Sequence, residues 1–97
     1  MKKVHFIGIG GIGLSALARY LKQEGYEITG SDVKATKITA SREAEGIKVV
    51  IPHCPECIQD QDLVIYSAVI KPDNVEWVRA AEKGIKIIPR KEALLFI

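Results

Sequence analysis

The sequence lacks the features that are typical of membrane proteins and of nucleic-acid-binding proteins. It has no apolar run near the ~20 residues that a membrane-spanning helix requires, so we expect no membrane segment. Its net charge is only +2, and its 14 lysines and arginines are scattered without a basic stripe or interleaved aromatics. We therefore expect no nucleic-acid partner. No export signal follows the basic start, so we expect a cytoplasmic protein.

Cysteine is also scarce. The chain has two cysteines, Cys54 and Cys57, which form a single C-x-x-C in a loop with two prolines. A structural zinc site needs four ligands, usually from two such pairs, and no second pair is present. A thioredoxin-like pair would open a helix directly after a strand, which this loop does not do. We interpret both residues as ordinary loop thiols, kept reduced in the cytoplasm, and expect no metal site.

The 97 residues, 47% of them hydrophobic, suit one small domain with a real core. Strand-like runs alternate with helical patterns, as in βαβ units, and we predict a single α/β domain with a Rossmann-like, doubly wound, five-stranded parallel sheet. Asp73 and Glu76 have the spacing of a capping box for the third helix. The predicted strands are Val4–Ile9, Tyr26–Ser31, Ile47–Ile51, Asp62–Tyr66 and Ile85–Ile88; the predicted helices begin near Leu14, Ala35, Asn74 and Lys91, with stops at Gly25, Gly46 and Gly84.

A glycine-rich loop joins the first predicted strand to the first helix. Gly8-Ile9-Gly10-Gly11-Ile12-Gly13 fits G-x-G-x-x-G in the required strand–loop–helix context. In this motif the first glycine permits a tight turn, the second lets backbone approach a pyrophosphate, and the third lets the helix pack against the strand. The helix N-terminus adds unpaired N–H groups and a partial positive charge. The loop is therefore predicted to bind a diphosphate.

Two residues near this loop narrow the prediction. Asp32 ends the second predicted strand about 20 residues after the motif, where a carboxylate accepts hydrogen bonds from ribose hydroxyls. The same glycines nearly fit the P-loop, G-x-x-x-x-G-K-[ST], but Leu14 stands in place of the lysine. Without that lysine nothing reaches the β- and γ-phosphates. We expect a loop that binds a diphosphate and does not drive ATP chemistry.

Other polar residues follow predicted strands at the edge where open α/β sheets bind ligands. For His53 two interpretations stay open, a ligand contact and a plain surface histidine. The hydroxyl and the backbone N–H of Ser67 are candidates for the phosphate site, whereas His5, in a buried strand, is interpreted as a core residue. No nucleophile–base pair or metal-ligating cluster is visible, so we predict no catalytic residue in this chain.

Several stretches together resemble one family. HFIGIGGIGLSALA, the GSD at residues 30–32, the Pro52-His53 loop, DLVIYSAVIKPDN and IPRKEALL are similar to the N-terminal domain of the Mur ligases. The resemblance covers essentially the whole chain. It implies that residues 1–97 are an N-terminal, Rossmann-like, UDP-sugar-binding domain, and that its ligand is the UDP part of UDP-N-acetylmuramate.

The resemblance also implies roles for single residues. The string Cys54-Pro55-Glu56-Cys57 departs from the family pattern and gains no role from it. The implied roles place Gly10, Gly11, Ile12 and Gly13 at the pyrophosphate, Ser31, Asp32 and Val33 beside the uridine, and His53, Ser67 and Ala68 in the same cleft.

Family members also carry an ATPase domain with a true P-loop and a C-terminal domain. The chain contains neither, and its apolar ending, Leu94 to Ile97, leads us to expect a domain cut from a longer protein. The resemblance implies a parent ligase that uses ATP and magnesium to activate a carboxylate. The fragment would bind the sugar nucleotide, hold no cofactor of its own, contact the other domains of the parent chain, and not catalyse.

Two further hypotheses stay open. The glycine motif and Asp32 alone also fit an NAD-binding Rossmann module of a dehydrogenase or a transport regulator. The apolar C-terminus also fits a structural fragment that contacts a partner. The amino acid or peptide that the parent would join to its substrate is not decided by the residues present, and a related family member that recycles murein tripeptide has a similar N-terminal domain.

Overall fold

The computed structural model describes residues 2–93 of the chain. Strands and helices alternate as predicted, and the bounds differ from the predicted ones by a few residues. The elements are β1 (Lys3–Ile7), α1 (Ile12–Gln23), β2 (Glu27–Ser31), α2 (Lys37–Ala44), β3 (Lys48–Val50), a 3-10 helix (Pro55–Cys57), β4 (Leu63–Tyr66), α3 (Val75–Glu82), β5 (Lys86–Pro89) and α4 (Arg90–Ala93).

The five strands form one sheet in the order β3-β2-β1-β4-β5, and every neighbouring pair is parallel. The chain winds outward from β1 to β3, crosses back to β4, and then winds outward to β5. This is the doubly wound α/β fold that the sequence predicts. In such sheets ligands bind beyond the carboxyl ends of the strands where the order reverses, which here is between β1 and β4.

Helices cover both faces of the sheet. Along β1 the side chains alternate, so that Val4 and Phe6 join the core under α1 while Ile7 joins the core under α3. The predicted apolar face of α1 is buried: Leu14, Leu17, Ala18 and Leu21. His5 takes its alternating place on the α3 face, where it is fully buried. The site residues below are therefore held by a packed core on each side.

The helix ends follow the predicted glycines. Gly25, Gly46 and Gly84 all have positive φ, the left-handed conformation that glycine adopts at little steric cost after a helix. The longest helix, α1, has 12 residues. Within residues 2–93 no helix is long and apolar enough to cross a membrane.

The predicted capping box of α3 is wrong. Asn74, not Asp73, is the N-cap, and its side chain accepts a hydrogen bond from the N–H of Glu76 at 2.9 Å. Glu76 does not reach back to the backbone because its side chain turns under the helix to buried donors. The fourth helix, predicted from Lys91 to Ile97, is seen at Arg90–Ala93, and residues 94–97 lie outside the described range.

Candidate functional site

A cleft of about 770 Å³ lies at the carboxyl ends of β1 and β4, where the strand order reverses. It exceeds two other cavities of the described residues, which measure about 250 and 230 Å³. The glycine loop, the segment after β4 and the start of α4 form its walls. Five predicted site residues lie in this cleft: Gly11, Ile12, Gly13, Ser67 and Ala68.

Gly8 makes the tight turn that the motif predicts. Its φ is +88°, and a Cβ there would lie 3.0 Å from the Cβ of Ser67. The N–H groups of Gly8 and Ile9 both donate to the carbonyl of Ser31, at 2.9 and 3.0 Å. A side chain at this position would therefore be strained by the backbone and crowded by the neighbouring strand end.

The first turn of α1 opens toward the cleft without a cap. Gly11 is the N-cap and has no side chain to satisfy the first N–H groups, which also lack intrahelical acceptors. A Cβ on Gly13 would meet the guanidinium of Arg90 at 2.9 Å. The lack of a side chain at Gly13 thus lets the guanidinium of Arg90 approach the first turn of α1.

Arg90 and Lys91 line the same cleft and were missed by the sequence analysis. No hydrogen bond or ion pair of Arg90 is found within residues 2–93. The available signal was the I-P-R run directly after the last strand, at the sheet edge that carries the glycine loop. A positive charge therefore stands opposite the N-terminus of α1.

Asp32 holds the glycine loop rather than presenting an unoccupied carboxylate. Its Oδ2 accepts the N–H of Gly10 and its Oδ1 accepts the N–H of Val33, each at 2.7 Å. The N–H of Gly10 thus points to Asp32, and Gly10 does not line the cleft. The side chain of Val33 is 65% exposed beside this contact.

Replacing Asp32 with alanine is expected to lower the free energy of unfolding by about 1–3 kcal/mol, because two N–H groups lose a charged acceptor. Denaturant unfolding without ligand measures this. The matched control is Asp73→Ala, an exposed aspartate that does not cap α3, with an expected change within about 0.5 kcal/mol. Equal stability of the two variants would show that Asp32 does not hold the loop.

Ser31 and His53 meet in a buried hydrogen-bond network and do not line the 770 Å³ cleft. The Oγ of Ser31 donates to Oε1 of Glu76 at 2.6 Å and lies 2.8 Å from Nδ1 of His53. Since the hydroxyl proton of Ser31 points to Glu76, Nδ1 of His53 is assigned as the donor to Ser31. Nε2 of His53 is buried with no partner among the described residues.

Ser67 lies in the cleft, but only part of it is available. Its N–H donates to the carbonyl of Ile7 at 3.0 Å, extending the ladder between β1 and β4. Ser67 lines the cleft, and its hydroxyl accepts the N–H of Val69 at 3.4 Å. Of the two groups predicted for the phosphate site, the hydroxyl is the one placed to reach a ligand.

Glu76 joins three parts of the fold at a fully buried position. It accepts hydrogen bonds from Nε2 of His5 on β1 and from the N–H of Cys54 in the loop after β3, each at 2.7 Å. Burial acts to raise the pKa of Glu76, but the bonds from His5, Ser31 and Cys54 outweigh it and hold the pKa below its ordinary value. Sequence reasoning missed this network because it depends on how α3 sits over β1.

Acid is expected to remove the stability that Glu76 contributes. Because its pKa is lower in the folded chain, the contribution is fully present above the unfolded value of 4.5 and is lost as pH falls through the folded pKa. The free energy of unfolding of the chain and of Glu76→Gln should be measured from pH 7 downward. We expect the difference to shrink below about pH 4.5; a difference independent of pH would contradict the assignment.

The described residues form no cluster of metal-ligating side chains. No group of three or more His, Cys, Asp or Glu side chains there could hold a metal ion. Cys54 and Cys57 are half-buried free thiols in the loop after β3.

A family model described as "Mur ligase family, catalytic domain" matches residues 3–96. Among curated proteins, the chain is 58% identical over 97 residues to a UDP-N-acetylmuramate–L-alanine ligase of Campylobacter curvus. The match covers 100% of this chain and 22% of the relative. The chain thus spans about a fifth of the length of that relative.

Solved structures of similar ligases superpose on this chain. The UDP-N-acetylmuramate-alanine ligase of Thermotoga maritima superposes with a TM-score of 0.93 at 37% identity, over 97% of this chain and 22% of that one. The UDP-N-acetylmuramate:L-alanyl-γ-D-glutamyl-meso-diaminopimelate ligase of Neisseria meningitides gives a TM-score of 0.87 at 28% identity, over 97% and 30%.

Proposed function

The chain belongs to the Mur ligase family, and we propose that it is the N-terminal, UDP-sugar-binding domain of a UDP-N-acetylmuramate–L-alanine ligase. The relative that is 58% identical carries that name. The observation that carries the proposal is the uncapped N-terminus of α1, which opens into the cleft at the point where the strand order reverses. Such a helix end favours a bound phosphate through its N–H groups and its partial positive charge.

In this proposal the pyrophosphate lies against the first turn of α1. The N–H groups of Ile12 and Gly13 approach it, and the hydroxyl of Ser67 faces it from the other side. Arg90 adds a positive charge at the cleft wall beside the first turn of α1. The side chain of Val33, exposed beyond β2, offers an apolar surface for the uridine.

ATP and magnesium do not fit this loop. Leu14, at the position of the P-loop lysine, is 2% exposed and packs into the core, so no cation at that position can reach a γ-phosphate. The parent ligase would use ATP and magnesium to activate the substrate carboxylate for attack by an amine. We assign that chemistry to other domains of the parent, working in the cytoplasm, and assign substrate binding to this chain.

Calorimetric titration of the chain with UDP-N-acetylmuramate, UDP, uridine and NAD tests the proposal. We expect saturable binding of both diphosphates and at least about tenfold weaker binding of uridine, which lacks the pyrophosphate. NAD is the control for an ordinary dinucleotide module. Saturation by NAD with no response to the uridine diphosphates would overturn the proposal.

The similarity to the Neisseria ligase keeps a murein-peptide ligase as the second candidate for the parent. The names of the two ligases share UDP-N-acetylmuramate and differ in what is joined to it. Activity of the full-length parent with L-alanine, against the tripeptide of the second name, separates them. Turnover with L-alanine alone is the result we expect.

A further inference from the structure

The thiols of Cys54 and Cys57 lie together in a single turn. Cys54 is the N-cap of the 3-10 helix, and the N–H of Cys57 donates to the carbonyl of Cys54 at 3.1 Å. Both side chains also line the same cavity, so the two thiols lie on the same side of the turn. Burial, and then the adjacent thiol of Cys54, raise the pKa of Cys57 to about 12.

The pair is accessible from solvent. Both cysteines line an open cavity of about 230 Å³, which Thr29, Lys48 and Gln61 also line. This cavity shares no lining residue with the 770 Å³ cleft at the glycine loop. Both thiols are free, and Sγ of Cys54 donates to the carboxylate of Glu56 at 3.0 Å. A small reagent can therefore reach two adjacent reduced thiols.

We propose that Cys54 and Cys57 are a dithiol site that exchanges with a low-molecular-weight disulfide and closes to an intramolecular disulfide. The thiolate of Cys54 attacks one sulfur of the small disulfide, forms a mixed disulfide and releases one small thiolate. The thiolate of Cys57 then attacks Sγ of Cys54 and releases the second small thiolate. Two electrons pass from the cysteine pair to the small disulfide, and the two thiol protons end on the released thiols.

The raised pKa of Cys57 makes this thiol a poor first nucleophile at neutral pH, so Cys57 is assigned the second step. Cys54 is the N-terminal member and keeps its Sγ at the open side of the turn, beside the exposed Glu56. Cys57 is then the resolving thiol.

A series of hydrogen bonds connects Cys54 to the glycine loop. The N–H of Cys54 donates to Glu76, which also accepts the hydroxyl of Ser31. The carbonyl of Ser31 accepts the N–H groups of Gly8 and Ile9. Closing the disulfide removes the S–H that Cys54 donates to Glu56, on the residue whose amide holds Glu76. We therefore expect oxidation of the pair to change the environment of the glycine loop through these hydrogen bonds.

Equilibration of the chain with mixtures of oxidised and reduced glutathione, followed by alkylation and intact mass measurement, tests the site. We expect a species that has lost two hydrogens and takes up no alkylating reagent, and that returns to the dithiol on reduction. Cys54→Ser and Cys57→Ser should give only a glutathione adduct or no reaction. Glutathione adducts without the closed disulfide in the unsubstituted chain would overturn the proposal.

Amide chemical shifts of the reduced and oxidised chain test the link. We expect oxidation to shift Ser31, Gly8 and Ile9 as well as the turn itself, and expect no such shifts in the Cys54→Ser/Cys57→Ser chain under the same oxidant. Shifts confined to residues 54–58 would overturn the link. Neither readout uses a nucleotide, so failure here is distinct from failure of the proposed function.

Discussion

Replacing Glu76 with alanine is expected to lower the free energy of unfolding by about 3–5 kcal/mol. The side chain is fully buried and accepts hydrogen bonds from His5, Ser31 and the N–H of Cys54. Without the carboxylate these donors stay buried and unpaired, which costs more than the network contributes on balance. Urea denaturation, followed by circular dichroism, measures the change.

The matched control is Glu82→Ala on the same helix. The side chain of Glu82 is 66% exposed and its contact with Arg79 is 3.7 Å, so we expect a change within about 0.5 kcal/mol. Glu76→Gln keeps one acceptor and should fall between the two. A loss below about 1 kcal/mol for Glu76→Ala would show that the network does not hold the fold together.

Replacing Gly13 with valine is expected to weaken binding of UDP-N-acetylmuramate at least about tenfold while leaving the fold intact. The atoms nearest to a Cβ at Gly13 belong to the guanidinium of Arg90, an exposed side chain that can move aside. Valine is no worse than glycine inside a helix, so the free energy of unfolding should change by less than about 1 kcal/mol. The added methyl groups instead occupy the cleft wall where the pyrophosphate would lie.

Ala16→Val is the matched control for this substitution. Ala16 is exposed on the same helix and lies outside the cleft, so the same side chain is introduced away from the proposed ligand. Calorimetry should give an affinity within about twofold of the unsubstituted chain. Equal affinities of the Gly13→Val and Ala16→Val chains for UDP-N-acetylmuramate would show that the pyrophosphate does not lie against the first turn of α1.

The fold was predictable because its signals are local. Apolar runs broken by Gly25, Gly46 and Gly84 mark where each βα unit ends, and the parallel, doubly wound sheet follows from their alternation. The glycine loop was predictable for the same reason, since strand, glycines and helix adjoin in sequence. Placement of Gly11, Gly13 and Ser67 at one sheet edge follows from the topology alone.

The rest of the site depends on contacts between distant residues. Asp32 has the sequence context of a ribose ligand, yet its oxygens accept N–H groups of the loop and of Val33. Glu76 has the spacing of a capping residue, but Asn74 can cap the helix and leaves Glu76 to the buried histidine beneath. Arg90 reaches α1 only because β5 ends beside β4. The I-P-R run marks Arg90 at the sheet edge, but no local pattern specifies the contacts of these three residues.

The most direct test of the proposed site is an NMR titration of the ¹⁵N-labelled chain with UDP-N-acetylmuramate. The largest amide shifts should fall on Gly11, Ile12 and Gly13, with smaller ones at Ser67 and Ala68, because the pyrophosphate lies against the first turn of α1. Shifts centred instead on Tyr26 and Leu63, which line the cavity at the opposite end of the sheet, would contradict it.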